Sequence, residues 1–252
     1  VRTLADMSPS ASPHRQREPY RRALSGIQAR VVATAQEVAG LSGVGRAGNA
    51  APYQSAAEFQ ADLDRIDESL RQHGSAILTR GRLRLLRRAV DCFGFHLAIV
   101  DLRQNSAVHE RTIAELLDAV SPGTSYLDLS EDKRIALLTN ELQSARPLIS
   151  PHIRYSEETA GEIAVFKTAA AAHARYGREV IANCIISKAE GVSDMLELAV
   201  LLKEVGLLAA DGSAHVNVIP LFETIGDLQA CAAVMEQAFS NSAYRALVKN
   251  RG

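Results

Sequence analysis

The sequence VIANCIISK at residues 180–188 joins a short, dense apolar run to two polar residues at its end. Two other stretches have the same texture, FGFHLAIVDLRQNS at 93–106 and VNVIPLFET at 216–224. Short runs that are apolar throughout are typical of strands buried on both faces of a parallel sheet. We therefore predict strands over 94–101, 180–186 and 216–222, each of which leads into a polar loop.

The segments between these predicted strands carry signals for helix starts. Ser130 and Ser156 each precede two acidic residues, and Ser193-Asp194 and Gly226-Asp227 mark two further starts. Strands that alternate with helices are usually parallel. Because active sites of such folds gather at the carboxyl ends of the strands, we expect functional side chains there. The candidate ends are Asp101 to Gln104, Ser187-Lys188 and Glu223-Thr224.

The front of the chain has a different pattern. Residues 1–19 are polar and rich in Ser, Pro and Arg, which indicates a flexible lead-in. Residues 20–92 show apolar positions at helical spacing and a capping-box pattern at Ser55–Glu58, which predicts a helical region. A loop is expected over 40–52. Residues 93–252 form the alternating part, and we expect one continuous domain fragment.

The composition excludes several classes of protein. The 252 residues include 28 Lys and Arg and 29 Asp and Glu, a net charge of -1, so no basic excess for nucleic-acid binding is present. No apolar run reaches the roughly 18 residues of a membrane-spanning helix. Cys92, Cys184 and Cys231 show no CxxC spacing, which favours buried thiols in a reducing compartment. We therefore expect a cytoplasmic location.

Arg103 and Glu223 are the strongest site candidates. An arginine at a strand end can bind a phosphate or carboxylate through two parallel hydrogen bonds, although a structural pair with Asp101 would also explain it. A carboxylate such as Glu223 suits a hard cation, Mg2+ or Mn2+. The alternative is a helix-capping or ion-paired glutamate. Asp227 is better explained as the cap of the next helix.

Four other features have weaker functional signals. His96 on a predicted apolar strand is typical of a satisfied core residue. The side chain of Lys188 either binds an anion or is solvated. The basic run at 80–88 is interpreted as a solvated or interdomain helix face. The GxGxxG match at 43–48 follows a predicted helix rather than a strand, so we do not interpret it as a dinucleotide site.

Several motifs together resemble the phosphoenolpyruvate carboxylase family. The stretch at 93–106 resembles the family segment FGFHLATLDIRQ-S, and ELQSARPL at 141–148 resembles EL-S-RPL. LLKEVG at 201–206 resembles LLKEAG, and VIPLFET at 218–224 resembles VVPLFET. The order and approximate spacing agree from about Tyr20 to the end of the chain. Lys188 stands where the family often has Met, and Asn105 where Asp or Glu is common.

The resemblance implies a reaction and a fold. The family converts phosphoenolpyruvate and bicarbonate to oxaloacetate and phosphate with Mg2+ or Mn2+, as a homotetramer. Its fold is an eight-stranded α/β barrel with added helices. We therefore expect a helix-rich α/β fragment of an incomplete TIM-like barrel, with residues 93–252 as the partial barrel.

By position in the motifs, Arg103 matches a catalytic arginine that binds the substrate phosphate. Glu223 matches the first metal carboxylate. We expect both side chains to point into a common cleft without forming a salt bridge to one another.

The resemblance also implies that parts of the site lie outside this chain. The second metal carboxylate belongs to a GYSDS-KD segment expected after Gly252, and essential histidines lie upstream and further downstream. We therefore expect a partial sequence that is inactive alone. Two alternatives stay open: another metal-dependent barrel enzyme acting on enol phosphates or 2-oxo acids, and a non-catalytic helical scaffold. The roles of Arg146 and His96 stay open as well.

Overall fold

The computed structural model describes residues 1–10, 12–39, 49–96, 98–209 and 212–250. It divides the chain into two compact units, Val1–Ala98 and Ile99–Gly252. Most of the predicted loop at 40–52 and the GxGxxG match lie outside the described residues. The division predicted from the sequence, into 1–19, 20–92 and 93–252, stays a prediction.

The first unit is helical. Residues of the predicted lead-in include one short helix, and Leu4 within it is buried. Gly26 allows this helix to lie against the next one, because a Cβ at position 26 would lie only 2.6 Å from the carbonyl oxygen of Leu4. The helices of this unit are α1 (Arg2–Asp6), α2 (Pro19–Ala39), α3 (Ala56–Gln72) and α4 (Arg82–Phe93).

The core of the first unit contains Leu4, Ile27, Phe59 and Leu63. Helix α3 starts as predicted, since the hydroxyl of Ser55 accepts a hydrogen bond from the backbone N–H of Glu58. One turn of 3-10 helix, Ala76–Arg80, connects α3 to α4.

The second unit combines a small sheet with six helices among its described residues. Its strands are β1 (Leu102–Asn105), β2 (Asn183–Ser187) and β3 (Asn217–Leu221). Its helices are α5 (Ser106–Val120), α6 (Glu131–Gln143), α7 (Glu157–Tyr176), α8 (Val192–Glu204), α9 (Ile225–Ser240) and α10 (Ser242–Asn250).

The three strands form one sheet in the order β1-β2-β3, and both pairings are parallel. The prediction of three parallel strands separated by helices is therefore confirmed, as is the helix-rich α/β class. In the register, Asn105 pairs with Ser187 and Ser187 pairs with Leu221, so the carboxyl ends of all three strands are aligned.

The two faces of the sheet differ. Cys184 and Ile186 of β2 are buried, at 1% and 0% exposure, on the face that packs into the main core of the unit. Helix α8 contributes most to this core, because its residues are buried nearly all round. The opposite face, with Ile185 and Ile219, is only partly covered.

The predicted first strand was wrong in position. The structure places β1 at Leu102–Asn105 rather than at 94–101. Helix α4 continues to Phe93, Gly94 ends it with a φ of 52°, and Phe95 stacks on Phe59 in the first unit at 6.3 Å. The apolar run is thus divided between two units, and Ile99 is 59% exposed. Pairing with β2, rather than apolar density, decides where the strand begins.

Within the described part of the chain, the structure contains no helix long and apolar enough to cross a membrane.

Candidate functional site at the carboxyl edge of the sheet

The candidate site lies where the three strands end. Arg103 pairs with Ile185, and Ser187 pairs with Leu221. Because residues two apart on a strand share a face, Arg103, Ser187 and Glu223 project from the less covered face. Arg103 lies in β1, Ser187 ends β2, and Glu223 follows β3 by two residues. The sequence therefore brings three polar groups from distant segments to one edge.

Arg103 is oriented by two hydrogen bonds across the sheet. Its Nε donates to Oγ of Ser187 at 2.7 Å, and its Nη2 donates to Oε1 of Glu223 at 3.0 Å. The side chain is 56% exposed, so the guanidinium is fixed on one side and open to solvent on the other. Its remaining N–H groups can bind an anion in the two-pronged geometry that suits phosphate and carboxylate.

Glu223 is held at both carboxylate oxygens. Oε1 accepts from Arg103, and Oε2 accepts from the backbone N–H of Lys188 at 2.9 Å. Lys188 has a φ of 57°, in the left-handed region that non-glycine residues rarely adopt. This conformation, at a turn directly after β2, directs the backbone N–H of Lys188 toward the carboxylate.

A further hydrogen bond fixes the turn at Lys188. The hydroxyl of Ser106, the first residue of α5, donates to the carbonyl oxygen of Lys188 at 2.7 Å. The side chain of Asn105 caps the same helix by accepting from the N–H of Ala107. The ends of β1 and β2 are therefore tied together directly beside the site.

The expectation of an open pair was wrong, since Arg103 and Glu223 form a salt bridge of 3.0 Å. Their convergence at one edge of the sheet is confirmed. Opposite charges at the ends of β1 and β3 attract, and the arginine and glutamate side chains together span the intervening strand β2. The alternative partner, Asp101, lies before β1 and therefore at the opposite edge, where it accepts a hydrogen bond from Asn183.

The covered face of β1 is fixed by a buried polar group. Gln104 donates to Oε2 of Glu162 on α7 at 3.1 Å, and Nε2 of the fully buried His109 lies 3.5 Å from Oε1 of the same carboxylate. Burial works to raise the pKa of Glu162, but the neighbouring His109 and Gln104 outweigh it and lower the pKa. The charged carboxylate thus anchors the strand that carries Arg103.

The other sequence candidates have local partners. The side chain of Lys188 pairs with Glu190 at 3.0 Å, which raises the pKa of the lysine. Arg146 pairs with Glu141 on α6 at 2.6 Å. His96 lies in a bend after α4 and not on a strand, and its Nδ1 is buried without a hydrogen-bond partner among the described residues.

The fit to a divalent cation is partial. Glu223 presents carboxylate oxygens at the sheet edge, which suits Mg2+ or Mn2+. Asp227 is not a second ligand, because its Oδ2 accepts from the N–H of Thr224, the N-cap of α9, in a capping box that lowers the pKa of Asp227. In the described segments, no group of three or more His, Cys, Asp or Glu side chains could hold a metal. Glu223 can supply one ligand, but these residues do not complete a site.

Sequence reasoning missed the roles of Ser187, Ser106 and Gln104. Ser187 was recognised only as part of a strand end, yet its hydroxyl orients Arg103. The available signal was its position, since a hydroxyl two pairs beyond Arg103 on the neighbouring strand lies on the same face as Arg103. The sequence pattern points to the side chain of Lys188, whereas its backbone N–H is the group that contacts the Glu223 carboxylate.

Comparison with known proteins assigns the chain to a family. A family model described as phosphoenolpyruvate carboxylase matches residues 2–252. Proteins of that name from Rhodopseudomonas palustris and Bradyrhizobium diazoefficiens are 60% and 58% identical over 252 residues, which is 100% of this chain and 27% of each relative. One from an Azoarcus species is 55% identical over 250 residues, covering 98% of this chain and 27% of the relative. The chain therefore spans about a quarter of the length of these relatives, and it belongs to the phosphoenolpyruvate carboxylase family.

Proposed function

We propose that the protein containing this chain converts phosphoenolpyruvate and bicarbonate to oxaloacetate and phosphate. The observation that carries the proposal is the Arg103 guanidinium, held beside Glu223 at the carboxyl edge of a parallel sheet. This edge is where α/β enzymes bind their substrates. Membership of the carboxylase family supports the reaction.

Arg103 is the proposed catalytic and substrate-binding residue. A guanidinium stays positively charged throughout the physiological pH range and matches two phosphate oxygens at once. When the phosphoryl group moves, negative charge develops on its oxygens, and a cation already fixed in place stabilises that charge without reorganising. Ser187 and Glu223 supply this fixation, because each accepts one hydrogen bond from Arg103.

Glu223 is the proposed metal ligand of this chain. It would hold Mg2+ or Mn2+ together with a second carboxylate from a part of the whole protein that this chain does not include. A bound divalent cation would act as a Lewis acid toward an anionic oxygen of the substrate. The backbone N–H of Lys188 keeps the Glu223 carboxylate at the edge of the sheet.

The proposal extends to the whole molecule. The three parallel strands, aligned at their carboxyl ends with one face only partly covered, are compatible with part of a TIM-like barrel. We further propose a homotetramer, by analogy with the family, and a cytoplasmic location, which the three free cysteines support.

The test uses the whole protein that contains this chain, assayed for oxaloacetate by coupling to malate dehydrogenase. We expect Arg103→Gln to lower kcat/KM at least about a hundredfold, as loss of one pre-positioned charge at a reacting group does. We expect Glu223→Gln to lower activity and to raise the Mn2+ concentration needed for half-maximal rate.

Arg111→Gln is the matched control, because Arg111 forms an exposed salt bridge with Glu158 on helices rather than at the sheet edge. It should leave kcat/KM within about twofold, since exposed pairs contribute little. Unchanged activity of Arg103→Gln, or bicarbonate-independent turnover of the wild-type protein, would overturn the proposal.

A further inference from the structure

Five arginines surround one cavity in the first unit. Helix α3, the turn at Ala76–Arg80 and helix α4 border a solvent-open cavity of about 650 Å³. Its only acidic lining residue within the described part of the chain is Asp91. The cavity is lined by Gln60, Arg71, Thr79, Arg80, Arg84, Arg87, Arg88 and Asp91.

Salt bridges fix two of these arginines in place. Arg71 forms a salt bridge of 2.6 Å with Asp67, one turn earlier on α3. Arg87 reaches from α4 to Asp64 at 2.6 Å and to Asp67 at 3.2 Å. The Arg87 pairs cross-link α4 to α3, and together with the Arg71 pair they hold both guanidinium groups beside the cavity. An arginine that is already ordered loses less entropy when it binds a ligand.

The other three arginines have no such partner. Arg80, Arg84 and Arg88 make no ion pair within 4.0 Å in the segments that the structure describes, and all three are exposed. Even if Asp64, Asp67 and Asp91 each neutralise one guanidinium, the five arginines leave an excess of two positive charges. A stable helix face does not need this concentration of like charge, which repels itself.

The amide of Gln60 is a further polar group that lines the cavity. Its Oε1 is buried at the cavity without any hydrogen-bond partner among the described residues. Buried polar atoms are nearly always hydrogen-bonded, so the Gln60 amide would gain a partner if a ligand in the cavity reached it. The amide can present either its oxygen or its NH₂ group there.

We propose that this cavity is a binding site for a compact polyanion, a small molecule that carries at least two phosphate charges. The volume lies within the range of small-molecule sites. Guanidinium groups on two sides match phosphate oxygens, and Arg84 and Arg88 lie one turn apart on the same helix face. All of its lining residues belong to the first unit, whereas Arg103 belongs to the second.

Inorganic pyrophosphate is the probe, titrated calorimetrically into the 252-residue chain at constant ionic strength. We expect saturable binding of one molecule per chain. Arg84→Gln and Arg88→Gln should each weaken binding about tenfold, the loss expected for one charge-assisted hydrogen bond. Gln60→Leu should weaken it about threefold or more by removing the amide.

Arg82→Gln is the matched control, because Arg82 lies on the same helix and carries the same charge but does not line the cavity. It should change the affinity less than about twofold, a loss typical of diffuse charge in salt. Far-ultraviolet circular dichroism checks the fold of each variant. If Arg88→Gln unfolds, Arg88→Lys replaces it. Lysine keeps the positive charge but lacks the two parallel N–H donors of arginine, so this variant should still weaken binding.

Three results would overturn the proposal. One is the absence of saturable pyrophosphate binding by the folded wild-type chain. Another is an equal loss of affinity in Arg82→Gln and in the two lining variants, which would show a diffuse electrostatic attraction. Binding of nucleic acid but not of pyrophosphate would also contradict a small-molecule site.

Discussion

Nη2 of Arg103 on β1 lies 3.0 Å from Oε1 of Glu223, which follows β3, so a salt bridge crosses over the central strand. Neighbouring strands lie about 4.8 Å apart, and the arginine and glutamate side chains together span the two spacings between β1 and β3. Ser187 on β2 lies between the partners and accepts from Nε of the arginine. The three strand ends thus share one hydrogen-bonded chain that fixes both candidate site residues.

The Arg103–Glu223 pair should contribute little to stability. Its side chains are 56% and 39% exposed, and exposed salt bridges gain little after desolvation and ordering. In a double-mutant cycle with Arg103→Gln and Glu223→Gln, we expect a coupling free energy below about 1 kcal/mol in urea unfolding. A coupling above about 2 kcal/mol would show that the pair is structural rather than functional.

Lys188→Gly should stabilise the chain. Because Lys188 has a φ of 57°, its Cβ is strained, and glycine adopts this conformation without that cost. We expect the free energy of unfolding to rise by about 0.5–1 kcal/mol. Lys188→Ala is the control, since it removes the exposed pair with Glu190 but keeps the Cβ. If Lys188→Ala and Lys188→Gly change the free energy of unfolding by the same amount, strain at this turn is not the cause of the change.

Glu197 should make stability depend on pH. This α8 residue is fully buried and accepts a hydrogen bond from Tyr126 at 2.7 Å. Burial raises its pKa from 4.5 to about 9, with Asp194 and Glu110 adding repulsion and Arg134 opposing it. The folded chain therefore keeps a proton that the unfolded chain releases above pH 4.5. This contribution to stability is complete below that pH and is lost as the pH rises toward 9.

Glu197→Gln tests this linkage because the amide is neutral at every pH. Between about pH 5 and pH 9, the wild-type unfolding free energy should fall more steeply than that of the variant, by up to about 1.4 kcal/mol per pH unit. Asp194 also has a pKa raised by burial, but it is present in both proteins and cancels in the difference. Parallel pH profiles would contradict a protonated Glu197.

The two faces of the sheet should respond differently to truncation. Ile186 on β2 is 0% exposed, whereas Ile219 on β3 is 37% exposed. We expect Ile186→Ala to lower the free energy of unfolding by about 2–5 kcal/mol, through lost burial and a residual cavity. Ile219→Ala, the same substitution on the other face, should cost less than about 1.5 kcal/mol. Equal losses would show that the second face is covered.

The isolated 252-residue chain should not form oxaloacetate from phosphoenolpyruvate and bicarbonate, even with Mg2+ or Mn2+. Glu223 is one carboxylate, and a single carboxylate leaves a cation bound mostly by water. A malate dehydrogenase-coupled assay with a no-enzyme control decides this. Turnover that Glu223→Gln abolishes would show that the chain carries a complete site.

The sequence alone predicted the class of fold and the pair of candidate residues. Alternation of apolar runs with capped helices is a local signal, because strand and helix periods and cap hydrogen bonds involve neighbouring residues. The parallel sheet was therefore predictable, and so was the convergence of Arg103 and Glu223, since parallel strands end at a common edge. Ser55 and Ser156 cap the helices that they were expected to begin.

Only the tertiary structure decided where β1 begins and what each site residue contacts. The apolar run before Asp101 resembles a strand by composition, but Phe95 packs with Phe59, far away in sequence, and the ladder starts at Leu102. The salt bridge between Arg103 and Glu223 joins residues 120 positions apart. Such contacts depend on register and on side-chain reach across strands, which no local pattern encodes. The physical reason is that local propensity determines which residues form helices and strands, whereas long-range packing determines which of these elements contact one another.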